Sequence, residues 1–432
     1  MKSIYSCLVL LLPMFAAGQT TVTLKSAIDT TLKNNFDIQI AANTVEISKI
    51  NNTPGVAGAL PVVSASVNDN QSVTNVYQKL NSGVEINKNN ASGNSLTSSL
   101  TAGMLLFNGF RVMATRERLD RLQAQRELQL NLQIQNTIAA VMANYYDILR
   151  QQEYLKIIRF SLEVSQKKLE IVNERKSAGM ANDADYLQAL IDVNSAEQNL
   201  QTQQMVVDQV KTELLQLMSR KQFYPYTVED SIQVDTTIQL STILSYLEKN
   251  PQYLSSEQQV KINEQIVKEV AALRYPSLRI NTGLNLNRNQ SSAGLTLINQ
   301  NYGPYAGLSL QVPIYNGNAY KAQKEVAIYN VNNAKLQQEN LLNSLTADAV
   351  KTYQSYTSAL EQLDAQLNSV ELSGKLIYVV MQRFQVSQAT ILEVKTAQAS
   401  YESTGYQLVN LKYAAKIAEI ELKRLMYQLG EN

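Results

Sequence analysis

The fold of this 432-residue chain is decided by Leu96-Thr97-Ser98-Ser99-Leu100-Thr101-Ala102-Gly103-Met104-Leu105-Leu106-Phe107-Asn108-Gly109-Phe110. Apolar Leu96, Leu100, Ala102, Met104 and Leu106 interleave with Thr97, Ser99 and Thr101. That is the period-two alternation of a strand with one apolar and one polar face. At Asn108-Gly109 the pattern stops. From Phe110 to about Lys176 apolar residues recur every seventh position instead, at Ile134, Val141, Ile148, Leu155, Leu162 and Leu169. A heptad seam sustained this long reads as coiled coil, and at 1.5 Å per residue the helix is a rod of about 100 Å. No proline interrupts it.

Working outward, the same plan occurs twice. A shift of 215 lays Ile28, Leu32, Asn35 and Pro61 on Ile243, Leu247, Asn250 and Pro276. A shift of 208 then lays Phe107-Asn108-Gly109 on Tyr315-Asn316-Gly317, Arg175 on Arg383, Asn182 on Thr390 and Asp185 on Glu393. The first repeat covers 19–221, with an opening helix from about Thr23 to Val56, strands near 62–78 and 95–107, a long helix 110–176 and a return helix 183–218. A linker belt, 222–239, joins it to the second repeat, 240–432. That repeat has an opening helix from Leu240 to about Leu273, strands near 277–289 and 303–315, a long helix 318–385 and a return helix 391–427. Polar Asn87 to Asn94 and Gln290 to Ser292 read as exposed loops between strands.

Residues 1–18 read as a secretory signal: Lys2, an apolar run from Ile4 to Leu12, and small Ala16 and Gly18 before a cleavage point at Gln19. The only cysteine, Cys7, lies inside it, and the chain has no histidine. The mature protein then lacks the commonest zinc ligands and near-neutral acid–base groups, so neither enzyme chemistry nor a cofactor is expected. A net charge of +1 leaves no basic footprint for nucleic acid.

Four amphipathic strands cannot close a barrel alone, because two open edges would leave backbone groups unpaired in hydrocarbon. Two chains would supply eight strands and three would supply twelve, and the larger barrel leaves a lumen. Tyr77, Tyr302, Tyr305 and Tyr315 near strand ends are either interfacial girdle residues or ordinary strand tyrosines. The long heptad rods alone would also suit a periplasmic structural coiled-coil protein, the alternative reading, which has no use for the strands.

The duplicated order of elements, Asn250-Pro251-Gln252, Arg274-Tyr275-Pro276-Ser277-Leu278, Val312-Pro313-Ile314-Tyr315-Asn316-Gly317, and Arg383 to Ser387 followed by Ile391-Leu392-Glu393-Val394 resemble the outer-membrane efflux protein family, the TolC-like exit ducts. The resemblance covers essentially the whole mature chain. It implies an α+β membrane protein in which each repeat lends a β-hairpin to a trimeric twelve-stranded transmembrane barrel and long coiled-coil helices to a periplasmic α-helical tunnel. It also implies a passive duct that meets outer-membrane lipid, docks a periplasmic adaptor (membrane fusion) protein and works with an inner-membrane pump, in efflux or type I secretion.

The resemblance carries specific residues with it. Ala178, Gly179 and Met180, and Val386, Ser387 and Gln388, match the family's adaptor-contact turns; read by themselves they are tight turns. Ser387 stands where the family usually has glycine. Glu393 matches the first of two acidic positions ringing the tunnel entrance, although Thr390-Ile391-Leu392-Glu393 is also a capping box. Thr396 occupies the second acidic position. The family's closed-state lock falls on Asp185, Phe384 and Ala389, so two of its three partners are absent; Asp185 with Arg383 is a pairing that remains open to it, and the expectation is a gate held differently or less firmly.

Overall fold

The computed structural model describes residues 20–220 and 222–430; the expected signal peptide lies outside them. In chain order the elements are β1 (Thr20–Thr21), α1 (Leu24–Asn34), α2 (Phe36–Asn51), β2 (Val62–Lys79), β3 (Glu85–Phe107), α3 (Arg111–Ser177), α4 (Asp183–Leu217), β4 (Tyr226–Thr227), α5 (Leu240–Tyr246), α6 (Pro251–Ala272), β5 (Ser277–Ser291), β6 (Ile298–Gln311), α7 (Ala319–Gln385) and α8 (Ile391–Leu425), with a 3-10 turn Leu247–Lys249 after α5. They form two compact units. One holds the chain up to Gln39, Leu132–Asn250 and Ser344 onward; the other holds Ile40–Asn131 and Pro251–Asn343.

The duplication is written in the backbone. Gly109 and Phe110 (φ 67° and 66°) recur as Gly317 and Asn318 (67° and 65°), Gly179 (74°) as Ser387 (61°), and Ser219 (51°) as Tyr427 (61°). Each expected opening helix is two pieces, broken at equivalent asparagines. Asn35 is extended (φ −62°, ψ 128°). Its Oδ1 accepts from the N–H groups of Asp37 (2.9 Å) and Ile38 (3.2 Å), capping α2. Its Nδ2 donates to the Leu217 carbonyl at 3.3 Å. Asn250 has nearly the same backbone (φ −64°, ψ 131°) and donates to the Leu425 carbonyl at 2.9 Å. Pro251 reinforces that break, since the residue before proline avoids helical ψ while proline suits a first helical position.

In the first unit, Val141 and Ile148 of α3 are fully buried against Ala27 of α1 and Leu214 of α4. Tyr226 and Val228 from the linker fill the same core, and β1 pairs in parallel with β4. The seam does not stay apolar. Further along α3, Leu162 and Leu169 are only half-buried, and Ser161, Ser165 and Lys168 take the inner positions. A strict seven-residue repeat drifts by roughly 20° per heptad on a straight helix, which rotates these polar residues inward. They are tolerated because they are paired: Gln398 of α8 donates to Ser165 Oγ at 3.1 Å and to the Ser161 carbonyl at 3.2 Å.

The second unit contains an antiparallel sheet ordered β2-β3-β5-β6. Rows Val67–Ser98–Leu286–Tyr302, Ala65–Leu100–Leu284–Pro304, Val63–Ala102–Thr282–Ala306 and Met104–Ile280–Leu308 share one face. Rows Ser64–Thr101–Gly283–Tyr305, Ser66–Ser99–Asn285–Gly303 and Asn68–Thr97–Asn287–Asn301 share the other. One face is therefore apolar and the other amide- and hydroxyl-rich. Among the described residues nothing covers the apolar face: Val67 and Leu308 are each 68% exposed. Tyr302 lies on it, whereas Tyr305 lies on the polar face and cannot belong to a lipid-side girdle. Tyr305 rests on Gly283, where a Cβ would come within 2.2 Å of the Leu100 carbonyl oxygen and 3.0 Å of the Tyr305 ring.

Several strand limits differ from expectation. Asn87 to Asn94 is not a loop: β3 begins at Glu85 and its ladder with β2 runs out to Lys79 opposite Glu85. Gln290 and Ser291 likewise belong to β5. Polar side chains mark solvent on both faces, and they do not stop the backbone from pairing. A bulge between Thr74 and Val76 absorbs the register shift, with Asn90 (φ 54°) donating its N–H to Asn75 Oδ1 at 2.8 Å. At the other edge β6 runs Ile298–Gln311 and stops before Pro313, which has no N–H to extend a ladder.

Candidate functional site

The two helix-hairpin tips lie in the first unit and share a small core, in which Phe384 and Ala389 pack with Ile171 and Val172 of α3 and Ala189 of α4. Each tip closes by the same pair of bonds. In the first, Met180 N–H donates to the Arg175 carbonyl at 2.8 Å and Gly179 N–H to that of Lys176 at 3.0 Å. In the second, Gln388 N–H donates to the Arg383 carbonyl at 2.7 Å and Ser387 N–H to that of Phe384 at 3.1 Å. This double closure needs a left-handed residue at its centre, the place of Gly179 and Ser387. Ser387 adopts that conformation at a cost of about 1 kcal/mol. Ala178, Gly179, Met180, Val386, Ser387 and Gln388 are all exposed.

The following helices start under caps. Asn182 Oδ1 accepts from Asp185 N–H at 2.7 Å. Thr390 Oγ1 accepts from Glu393 N–H at 3.2 Å, and the Glu393 carboxylate accepts from Thr390 N–H at 2.6 Å and from its hydroxyl at 3.0 Å. These bonds, with a smaller contribution from Arg383, hold the Glu393 carboxyl below its ordinary range. Asp185 and Arg383 form no ion pair with each other; Arg383 donates to the Gln388 carbonyl at 2.8 Å. Arg175 instead stacks on the Phe384 ring, 4.4 Å from its centroid.

A cluster that sequence reading passed over ties the tips together. Lys168 of α3 is wholly buried and ion-paired with Asp192 of α4, which also accepts from Gln188 at 2.9 Å and from Lys395 of α8 at 3.2 Å. Burial raises the Asp192 carboxyl, and the hydrogen bonds from Lys168, Gln188 and Lys395 outweigh it, so that it lies below the usual value. The signal was present: Val164, Lys168, Ile171 and Val172 have helical spacing, which places the lysine on a buried stripe. Among the described residues no group of three or more His, Cys, Asp or Glu is placed to hold a metal ion, and no helix is long and apolar enough to cross a membrane.

The family described as outer membrane efflux protein matches residues 27–220 and 243–426, most of both repeats. The chain belongs to this family. Outer membrane protein TolC of Escherichia coli (strain K12) is 19% identical over 354 residues, covering 79% of this chain and 71% of the relative. TolC of Vibrio cholerae is 21% identical over 310 residues, 69% of each chain. The fold is that of solved outer-membrane channels. The outer membrane protein VceC from Vibrio cholerae superimposes with a TM-score of 0.74 at 16% identity, covering 95% of this chain and 97% of that one. The outer-membrane channel OprN gives 0.77 at 14%, covering 94% and 90%. This outer membrane efflux protein is thus a TolC-like outer-membrane channel subunit, with strands for a barrel wall and paired long helices for a tunnel. The periplasmic coiled-coil alternative leaves the one-sided sheet without a purpose.

Within the family, the tips depart from the expected lock. Phe384 has no hydroxyl to offer, and Ala389 has no charge; both are core residues here. Ion pairs at this end of the helices instead join Lys168 and Lys395 to Asp192 and, at the first tip, Lys176 to Asp183 at 2.8 Å.

Proposed function

We propose that three copies of the chain close a twelve-stranded barrel, and that the assembly is the passive outer-membrane and periplasm-spanning exit duct of a tripartite efflux or type I secretion system. The observation that carries this reading is the four-stranded sheet, apolar on one uncovered face, with β2 and β6 as open edges. In hydrocarbon each unpaired backbone group costs several kcal/mol, so the edges must meet those of other copies. The apolar rows run from Tyr302 to Leu310, about 27 Å along the strand, which suits a bilayer core crossed at a tilt.

The exposed turns Ala178–Met180 and Val386–Gln388 are proposed as the surface that a periplasmic adaptor grips, with an inner-membrane pump supplying the energy. Glu393, three times repeated, is proposed to bias the entrance towards cations, in competition with its capping role. Asp185 and Arg383 are proposed as gate residues that act between copies, since within one copy they do not pair. Native mass spectrometry of the assembly in mild detergent tests the reading. Three times the mature mass is expected, and a monomer recovered from the soluble periplasm would overturn it.

A further inference from the structure

The polar face of the sheet is nearly free of charge. In its register rows from Val62–Gly103–Asn281–Gly307 to Asn70–Ser95–Asn289–Asn299, every side chain is Asn, Ser, Thr, Gly, Val or Tyr. One row nearer the helices stands Leu105–Arg279–Ser309. Arg279 has the same strand parity as Asn281 and Gly283, so it shares their face. Its guanidinium lies over Gly103, with Nη1 3.8 Å from where a Cβ would be. A Cβ at that position would make ordinary van der Waals contact with it.

The charge is not cancelled locally. Among the described residues Arg279 has no hydrogen-bond or ion-pair partner. Of the carboxylates of the second unit at this end, three are taken by other arginines, Glu269 by Arg118, Glu117 by Arg121 and Asp120 by Arg116; Glu325, near the start of α7, is exposed, and among the described residues it forms no ion pair with Arg279. Arg111 and Arg274, at the strand–helix junctions, add positive charge, and among the described residues neither has an ion-paired carboxylate. Arginine stays charged throughout the accessible pH range.

We propose that Arg279, contributed once by each copy, forms a cationic ring at the helix-side end of the barrel lumen and is a binding site for polyvalent anions such as polyphosphates or polycarboxylates. The ring rests on the trimeric barrel proposed above. Like charges around a wall of low dielectric focus their field into the lumen and raise the local concentration of the opposite ion. The neutral amide wall beyond the ring neither competes with it nor screens it.

The test uses the assembled protein in planar bilayers, with inorganic tripolyphosphate added on the side of the β2–β3 hairpin and block of the potassium chloride current measured. Arg279→Ala is expected to need at least about tenfold more tripolyphosphate for half block, with Arg279→Lys staying within about threefold of the unchanged protein. Arg279→Gln, which keeps the length of the stem, is expected to follow the alanine variant. Equal block in the Ala or Gln variant, or no block of the unchanged protein, overturns the proposal. The native mass of the same preparation separates the two readings: without a trimer the barrel reading fails, whereas a trimer whose block ignores Arg279 sinks only the ring.

Discussion

Lys168 of α3 is wholly buried with its ammonium against the carboxylate of Asp192 of α4. A charge in that position is tolerable only while its partner is ionised and in place. Asp192→Asn is therefore expected to destabilise the tip region by about 3 kcal/mol, because it strands the lysine. Lys168→Met leaves Asp192 with Lys395 and Gln188 and is expected to cost about 1 kcal/mol or less. Hydrogen exchange of the α4 and α8 amides near the tips measures both, and equal protection in the two variants would contradict the asymmetry.

The acid response has a definite sign. Thr237, through its hydroxyl and its N–H, holds Asp235 down to about 2, with Lys423 assisting against burial. Asp192 is likewise depressed. For a carboxylate with a lowered folded value, the stabilisation is complete above the unfolded value, here 3.8, and is lost as pH falls through the folded one. The melting midpoint should show no loss from these two groups between neutrality and 3.8, and should fall from there towards about 2. A midpoint that drops between pH 7 and 5 would place the acid-sensitive group elsewhere.

Ser387 occupies the left-handed position that Gly179 fills in the first tip. Ser387→Gly should raise stability by a few tenths to about 1 kcal/mol, and Gly179→Ala should lower it by about 1 kcal/mol. Thermal melting of the two variants should move in opposite directions; a shared direction would mean that side-chain contacts at the turns outweigh the backbone.

Gly283→Ala forces a Cβ against the Leu100 carbonyl and the Tyr305 ring, at the pairing of β3 with β5. Loss of assembled protein from outer membranes is the expected outcome. Tyr305→Ala combined with Gly283→Ala should recover little, because the backbone clash remains. Full assembly of the single variant would refute the close approach.

Glu393→Gln removes the charge while keeping an acceptor for Thr390 N–H. Cation preference in bilayer recordings is expected to fall, and unchanged selectivity would leave Glu393 as a helix cap alone.

Much of this protein was legible because its patterns are periodic. The alternation from Leu96 to Leu106, the heptads of α3 and α7, and the paired Asn-Gly turns report directly which face of a strand or helix is apolar. The break at Asn35 was not read although an asparagine able to cap α2 stands there, and Pro251 marks the break at Asn250 locally; the bonds that anchor both asparagines in the fold go to Leu217 and Leu425, far along the chain. Asn87 to Asn94 misled for a related reason. Its polarity reports exposure, and only the partner strand β2 decides that its backbone is paired.

The candidate site divides in the same way. Both tips, their left-handed residues and their caps are local, held by bonds spanning three to five residues, so the sequence by itself determined where they are and that they match. Which charges meet there depended on how α3, α4 and α8 turn about their axes as they pack. Lys168, Asp192 and Lys395 come together because the apolar seam drifts around α3, a slow rotation that no short motif encodes. Likewise the isolation of Arg279 on the sheet's polar face followed from register, since which residues stand beside it depends on how four strands from two distant hairpins align.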